Sequence, residues 1–228
     1  MVYKTPKEVE ERKDAKRRHI LNSAAKVFAE RGYHGTTVRD VLSEANVSTG
    51  SFYFYFSNKE ELFETLYDEM NGMYLNVIEY AVENLMENPA DSICRAITLA
   101  LWSFQKHKAL GRIMLIEAVG LNARFEQKRA ANNKRFTMIL EEVFSEMQKK
   151  GIINPPNVKI AAISLMGSLY TFITDWLQEE STTDPVEYAY PLIIYNLQAL
   201  GMKFDEKEIK ESINFILQSN YEEMMGDL

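Results

Sequence analysis

The segment Thr36–Leu62, TTVRDVLSEANVSTGSFYFYFSNKEEL, constrains the fold most, because its helix-start signals are too closely spaced for long helices. Thr36 or Thr37 caps a first short helix, its hydroxyl accepting from N–H groups that the first turn leaves unpaired. Val38, Val41 and Leu42 give that helix one apolar face, and Ala45-Asn46-Val47 forms a turn. Ser48 caps a second helix. Its outward residues are Thr49, Ser51, Tyr53 and Phe54, while Phe52, Tyr55 and Phe56 turn back to a small core. Asn58 caps a third helix that begins Lys59-Glu60-Glu61-Leu62. A short second helix with small polar residues and a tyrosine at its exposed front has the form that enters a DNA major groove.

The order Thr36-Thr37-Val38, then Val47-Ser48-x-Gly50-x-Phe52-Tyr53-x-Tyr55-Phe56, then Lys59-Glu60-Glu61-Leu62, resembles the TetR family of bacterial transcription regulators. Ile20–Gly32 followed by Tyr33-His34-Gly35 resembles the first helix and loop of the same family. The resemblance covers residues 15–63 in register; beyond it the chain is similar to the family only in length and helical character. It implies an all-α protein. Residues 1–60 would form an N-terminal arm and three-helix DNA-binding head with a helix-turn-helix, and residues 61–228 a helical regulatory and dimerisation body.

Charge distribution agrees with such a division. The net charge of −7 is unusual for a DNA binder, but residues 1–60 hold 11 Lys and Arg against 8 Asp and Glu, a net +3. The remainder holds 15 against 25, a net −10, so the body repels phosphate and the positive charge sits near the head. An apolar content of 46% excludes a disordered chain. Cys94, the one cysteine, excludes an internal disulfide. The polar start Met-Val-Tyr-Lys-Thr-Pro-Lys lacks a signal core, and the longest apolar run, Ile163–Leu177, is read as too short to span a membrane and carries Asp175. A soluble cytoplasmic protein with no membrane contact is the expectation.

Along the chain, residues 1–14 read as a charged arm that becomes helical near its end. A helix from Ala15 to Arg31 buries Ile20, Ala24, Val27 and Phe28 and stops at Gly32. The helix from Asn58 keeps an apolar stripe towards Pro89; about 28 residues would span about 42 Å, a lever between head and body. Helices follow over Asp91–Lys108, Leu110–Val119, Asn122–Lys150 and Val158–Leu177. Another starts at Asp184-Pro185 and is expected to kink at Pro191, and a last one covers Asp205–Tyr221.

Val158–Leu177 is apolar nearly all round, and an all-apolar helix must be central in its domain or shared with a partner. Ser164, Gly167 and Ser168 would let another helix approach closely. In the family it resembles, the two penultimate helices pair with their copies. That implies a homodimer contact through Ile163, Gly167, Tyr170, Leu192 and Tyr195. Two recognition helices spaced by about 34–36 Å would then read a near-palindromic double-stranded operator.

The resemblance further implies a small-molecule effector in a cavity of the body. Trp102, Met114, Met138, Tyr170, Asp175 and Trp176 are the candidate lining, although large residues of this kind also simply fill cores. Their aromatic and methionine character favours an apolar ligand such as an acyl chain or a planar compound. Arg112, Glu117 and Asp175 are charges inside apolar segments and need partners if buried.

For DNA, the candidate residues are Thr36, Thr37, Ser48, Thr49, Ser51, Tyr53, Phe54 and Lys59. Tyr53 is read as a phosphate or sugar contact, Thr49, Ser51 and Phe54 as facing base edges, and Lys59, at the start of its helix, as a phosphate contact. His19, His34 and His107 lack metal-ligand spacing, and the chain has no phosphate loop, nucleophile motif or cofactor signature. The leading expectation is a ligand-responsive repressor. The alternatives are a DNA-binding dimer controlled by a protein partner and a helical enzyme.

Overall fold

The structure is a computed structural model that describes residues 6–82, 85–179 and 183–219. The described residues are 82% helical, with no strand among them. It divides into two compact units: residues 1–70 with 109–117, and residues 71–108 with 118–227.

The first unit holds α1 (Pro6–Gly35), α2 (Val38–Ala45), α3 (Thr49–Tyr55) and the first part of α4 (Lys59–Val82). Helix α1 begins at Pro6, so the arm expected to turn helical only near its end is helical throughout its described length. The break expected at Gly32 is present: its φ of 70° and ψ of 167° lie in a region open in practice only to glycine, and the assigned helix spans this kink. The core of the unit comprises Ile20, Ala24, Val27 and Phe28 of α1, Val41 and Ala45 of α2, Phe52 of α3, Phe56, and Leu62, Phe63 and Leu66 of α4, all buried. Phe28 and Phe63 meet edge to face at 5.2 Å.

Short side-chain caps set the element boundaries here. Thr37 Oγ1 accepts from the Asp40 N–H while an Asp40 carboxylate oxygen accepts from the Thr37 N–H at 2.8 Å, a reciprocal capping box on α2. The Thr37 hydrogen bonds hold the Asp40 carboxyl below its ordinary range. Asn46 ends α2 in the left-handed region, with φ 49° and ψ 48°. Ser48 Oγ then accepts from the Ser51 N–H and starts α3. Residues 109–117 include part of α6 (Lys108–Arg112) and a π-helical turn, Ile113–Glu117. Glu117 Oε2 accepts from the Tyr33 N–H at 3.2 Å, which gives that charge its partner at the break after Gly32.

The second unit holds the rest of α4, then α5 (Pro89–Lys106), α7 (Ala123–Lys149), α8 (Val158–Gln178), a 3-10 turn (Pro185–Tyr188), α9 (Ala189–Ala199) and α10 (Glu206–Gln218). Asn88, Asn122, Asn157, Asp184 and Asp205 each cap the element that follows. Pro191 does not kink a longer helix. The 3-10 turn takes up the start of the segment, so Pro191 falls in the first turn of α9, where its missing N–H has no intrahelical acceptor to lose. Helix α8 runs 21 residues and is long and apolar enough, by length and composition, to cross a membrane. The shorter span counted from Ile163 is therefore corrected: Val158 to Ala162 continue the same helix.

Candidate functional site

Helix α3 presents a compact surface. Thr49 and Gly50 are exposed and Ser51 is half-buried. Tyr53 is 54% and Phe54 66% exposed, an unusual position for large rings that the core does not use. Phe52 and Phe56 lie beneath them, fully buried, with the Phe52 and Tyr53 rings edge to face at 5.3 Å. The outward set read from the sequence thus stands on one solvent-facing side of a helix whose other side is pinned. Thr37 and Ser48, both exposed, flank this surface at the starts of α2 and α3.

Two residues assigned to DNA have other work. Thr36 is 1% exposed, and its hydroxyl donates to the Gly32 carbonyl at 2.8 Å, so it closes the end of α1 and is not a phosphate contact. Lys59 Nζ donates to the Tyr33 carbonyl at 2.6 Å and to the Thr36 carbonyl at 2.7 Å, and sits 4.1 Å from the centroid of the Tyr33 ring. Desolvation lowers its pKa. Its charge is spent on carbonyls that the break in α1 leaves without helical partners. The start of α4 is closed too: Asn58 Oδ1 accepts from the Glu61 N–H at 2.8 Å and Glu61 Oε2 accepts from the Ser57 N–H at 2.7 Å. An acidic, self-capped helix start is a poor cradle for phosphate.

The other head cations divide clearly. Arg31 pairs with Asp40, Arg17 with Glu69, Lys13 with Glu10 and Lys7 with Glu11. Arg12, Lys16, Arg18, Lys26 and Arg39 are exposed with no ion-pair partner among the described residues. Arg39, on the first turn of α2 beside Thr37, was overlooked in reading the sequence. The missed signal was its place two residues after a helix cap.

In the second unit, α8 buries Ala162, Leu165, Ile173 and Trp176. Its other side shows Ile160 (59% exposed), Ile163 (45% exposed), Ser164, Gly167 and Thr171 at helical spacing. A Cβ on Gly167 would meet nothing within 4 Å. Helix α9 adds Tyr195, 63% exposed, while Leu192 and Tyr170 are half-buried.

The candidate effector residues are not all of one kind. Trp102 is half-buried against Val77, Leu99 and Ile216. Trp176 is buried, donates its indole N–H to the Thr183 carbonyl at 2.9 Å and lies under Lys108, 4.5 Å from the ring centroid. Met114 is buried but belongs to the first unit, in the π turn. Met138 is 50% exposed on α7 and Asp175 is exposed on α8. These two are corrected: their helical phase turns them to solvent. Reading the sequence also missed two buried hydroxyls. Tyr74 Oη and Ser103 Oγ are inaccessible and have no hydrogen-bond partner among the described residues. The Tyr74 ring stacks on Phe104 at 4.6 Å, and burial pushes its phenol well above the ordinary value.

A capped turn between two short helices, with the second helix exposed over a closed core, defines a helix-turn-helix DNA-binding protein. The sequence model of the family described as "Bacterial regulatory proteins, tetR family" matches residues 20–66. The HTH-type transcriptional regulator YfiR of Bacillus subtilis (strain 168) is 30% identical over 162 residues, 65% of this chain and 71% of that protein. The fatty acid metabolism regulator protein of the same strain is 25% identical over 170 residues, 73% of this chain and 86% of the relative. The crystal structure of the transcriptional regulator FadR from Bacillus subtilis in complex with stearoyl-CoA superposes with a TM-score of 0.69 at 24% identity, covering 79% of this chain and 97% of that one. The chain belongs to the tetR family of bacterial regulatory proteins and is a transcription regulator, not an enzyme.

Proposed function

We propose that the protein is a homodimeric repressor that holds a near-palindromic operator and releases it when a long-chain acyl thioester binds the body. The exposed Thr49–Phe54 face of α3 carries the DNA half of this reading. Thr49, Ser51 and Phe54 meet base edges; Tyr53, Thr37, Ser48 and Arg39 meet the backbone. The second copy packs on the Ile160–Ile163–Gly167 stripe with Tyr195, where the gap over Gly167 admits a partner helix. Its partner and its acidic body suit a cytoplasmic protein, and the exposed apolar side of α8 is covered by protein and not by lipid.

The acyl effector rests on the relatives, one named a fatty acid metabolism regulator and one solved with stearoyl-CoA. It also rests on the body's own chemistry. A buried hydroxyl with no partner is unfavourable by about 1–3 kcal/mol. A ligand whose polar end accepts from either hydroxyl, and whose chain lies among apolar side chains, would remove that penalty there. Because α4 contributes residues to both units, it is the element on which effector and DNA compete.

The test begins with selection of duplexes from a random library by the full-length protein, followed by titration of the bound complex with stearoyl-CoA. The reading expects a two-fold symmetric consensus and release by the thioester. Enrichment of no sequence would overturn the DNA half. A consensus unaffected by acyl-CoA of any chain length would overturn the effector and leave control to a protein partner.

A further inference from the structure

Within the second unit, the start of α5 and the facing side of α10 enclose a cleft of about 300 Å³. Its lining holds four carboxylates, Asp91, Asp205, Glu208 and Glu211, and no Lys, Arg or His among the described residues. Two of the four are paired within the chain. Arg95 Nε donates to Asp91 at 2.6 Å, and Lys207 lies 3.6 Å from Glu211 at an exposed position where pairing is weak. Asp205 Oδ1 is taken up as the cap of α10, accepting from the Lys207 N–H at 2.7 Å. Glu208 is exposed with no ion-pair partner among the described residues. The cleft therefore keeps a surplus of negative charge. The two helix starts do not reverse it, because Asn88 and Asp205 already accept from the N–H groups of Asp91 and Glu208.

Ser212 is an independent sign of a missing occupant. Glu208, Glu211, Ser212 and Phe215 recur at helical spacing on one side of α10. Ser212 lines the cleft and is 8% exposed, and its Oγ has no hydrogen-bond partner among the described residues. The Cys94 thiol beside it donates to the Ile209 carbonyl at 3.7 Å, and a thiol sulfur is itself only a weak acceptor. A buried hydroxyl left in this way calls for a polar group from outside the chain. Phe215, further along the same side, stays 56% exposed. Its ring lies 5.6 Å from the guanidinium carbon of Arg95, the residue that pairs with Asp91. A ring beside a carboxylate thus already holds one cation of the chain at the edge of this cleft.

The carboxylates are not gathered closely enough for a metal: among the described residues no three of His, Cys, Asp and Glu are placed to hold a metal ion. Apolar surface from Ile209 and Phe215 lies between them. That mixture suits an organic cation.

We propose that the cleft between α5 and α10 binds a small organic cation, an ammonium or guanidinium group carried on an apolar body. The charged end donates to Glu208 and to Ser212 Oγ, and the apolar body lies against Ile209 and Phe215. The site shares no residue with the DNA surface or with Tyr74 and Ser103, so it stands apart from the acyl effector.

The test is calorimetric titration of the full-length, DNA-free protein with phenethylamine in the millimolar range. One site for each chain is expected. Glu208→Gln removes the charge from an exposed side chain and should weaken binding about fivefold. Ser212→Ala leaves every carboxylate in place and should weaken it about threefold, with thermal unfolding of the ligand-free protein unchanged or raised. 2-Phenylethanol, which keeps the ring and lacks the charge, should bind at least about fivefold more weakly than the amine. Glu142→Gln, which removes an exposed acid of α7, should bind as the parent does. Absence of amine binding by the parent, equal binding of the alcohol, or an equal loss in Glu142→Gln would each overturn the proposal. So would parental affinity in both Glu208→Gln and Ser212→Ala.

Discussion

The two units of this chain satisfy their polar groups and cover their apolar groups to different degrees. In the head, the polar groups that shape the site have partners. Thr37, Ser48 and Asn58 cap helix starts, Thr36 and Lys59 cover carbonyls at the end of α1, and Glu117 takes the N–H after Gly32. In the body, Ile160, Ile163 and Tyr195 are exposed on apolar helices, and Tyr74 Oη and Ser103 Oγ are buried without a partner among the described residues. The head keeps its exposed rings, Tyr53 and Phe54, to the one outward side of α3. In the body, the proposed second copy would cover the α8 stripe and the proposed ligand would meet the buried hydroxyls.

The contrast is broken most forcefully at the α8 stripe. Ile163→Glu places an unpaired charge where a partner helix is expected, at a cost of several kcal/mol if that face is buried between copies. The variant should be monomeric by light scattering at micromolar concentration and lose operator binding, while its thermal unfolding as a monomer stays close to the parent because Ile163 is exposed within one chain. A dimeric variant would place the interface elsewhere.

In the head the sensitive point is backbone geometry. Gly32→Ala forces a side chain into a φ of 70° and ψ of 167°, with the new Cβ 3.0 Å from Glu117 Oε2. A loss of about 1–3 kcal/mol of stability is expected. Denaturant unfolding of the ligand-free protein measures it, and a change within about 0.5 kcal/mol would mean that the break in α1 is not held as described.

The smallest effect has the opposite sign. Tyr74→Phe removes a buried hydroxyl that no group satisfies, so the ligand-free protein should be as stable or more stable by up to about 1 kcal/mol. The same variant should need more acyl-CoA to release operator. Destabilisation of the ligand-free form would show that the phenol has a partner there, and an unchanged effector response would remove it from the ligand site.

What was legible in the sequence was local. Thr37, Ser48, Asn58 and Asp184 act on backbone groups within a few residues, so the capping residue and its target are read together. The outward and inward residues of α3 follow from helical phase over seven residues. Pro191 misled because one turn of 3-10 helix changed its position relative to the start of α9, a difference no propensity of Pro191 itself encodes.

Tertiary structure alone decided the roles that depend on chain reversal. Lys59 meets the Tyr33 carbonyl 26 residues away, and Glu117 meets the Tyr33 N–H 84 residues away. A lysine at a helix start reads equally well as a phosphate contact or as a clamp until the fold brings those carbonyls to it. Met138 and Asp175 occupy helices of the right kind, and only the packing of those helices decides which residues face solvent. The charges of the head follow the same rule. Composition placed positive charge in the head, and folding pairs Lys7, Lys13, Arg17 and Arg31 with acids while Arg12, Lys16 and Arg39 stay exposed with no ion-pair partner among the described residues.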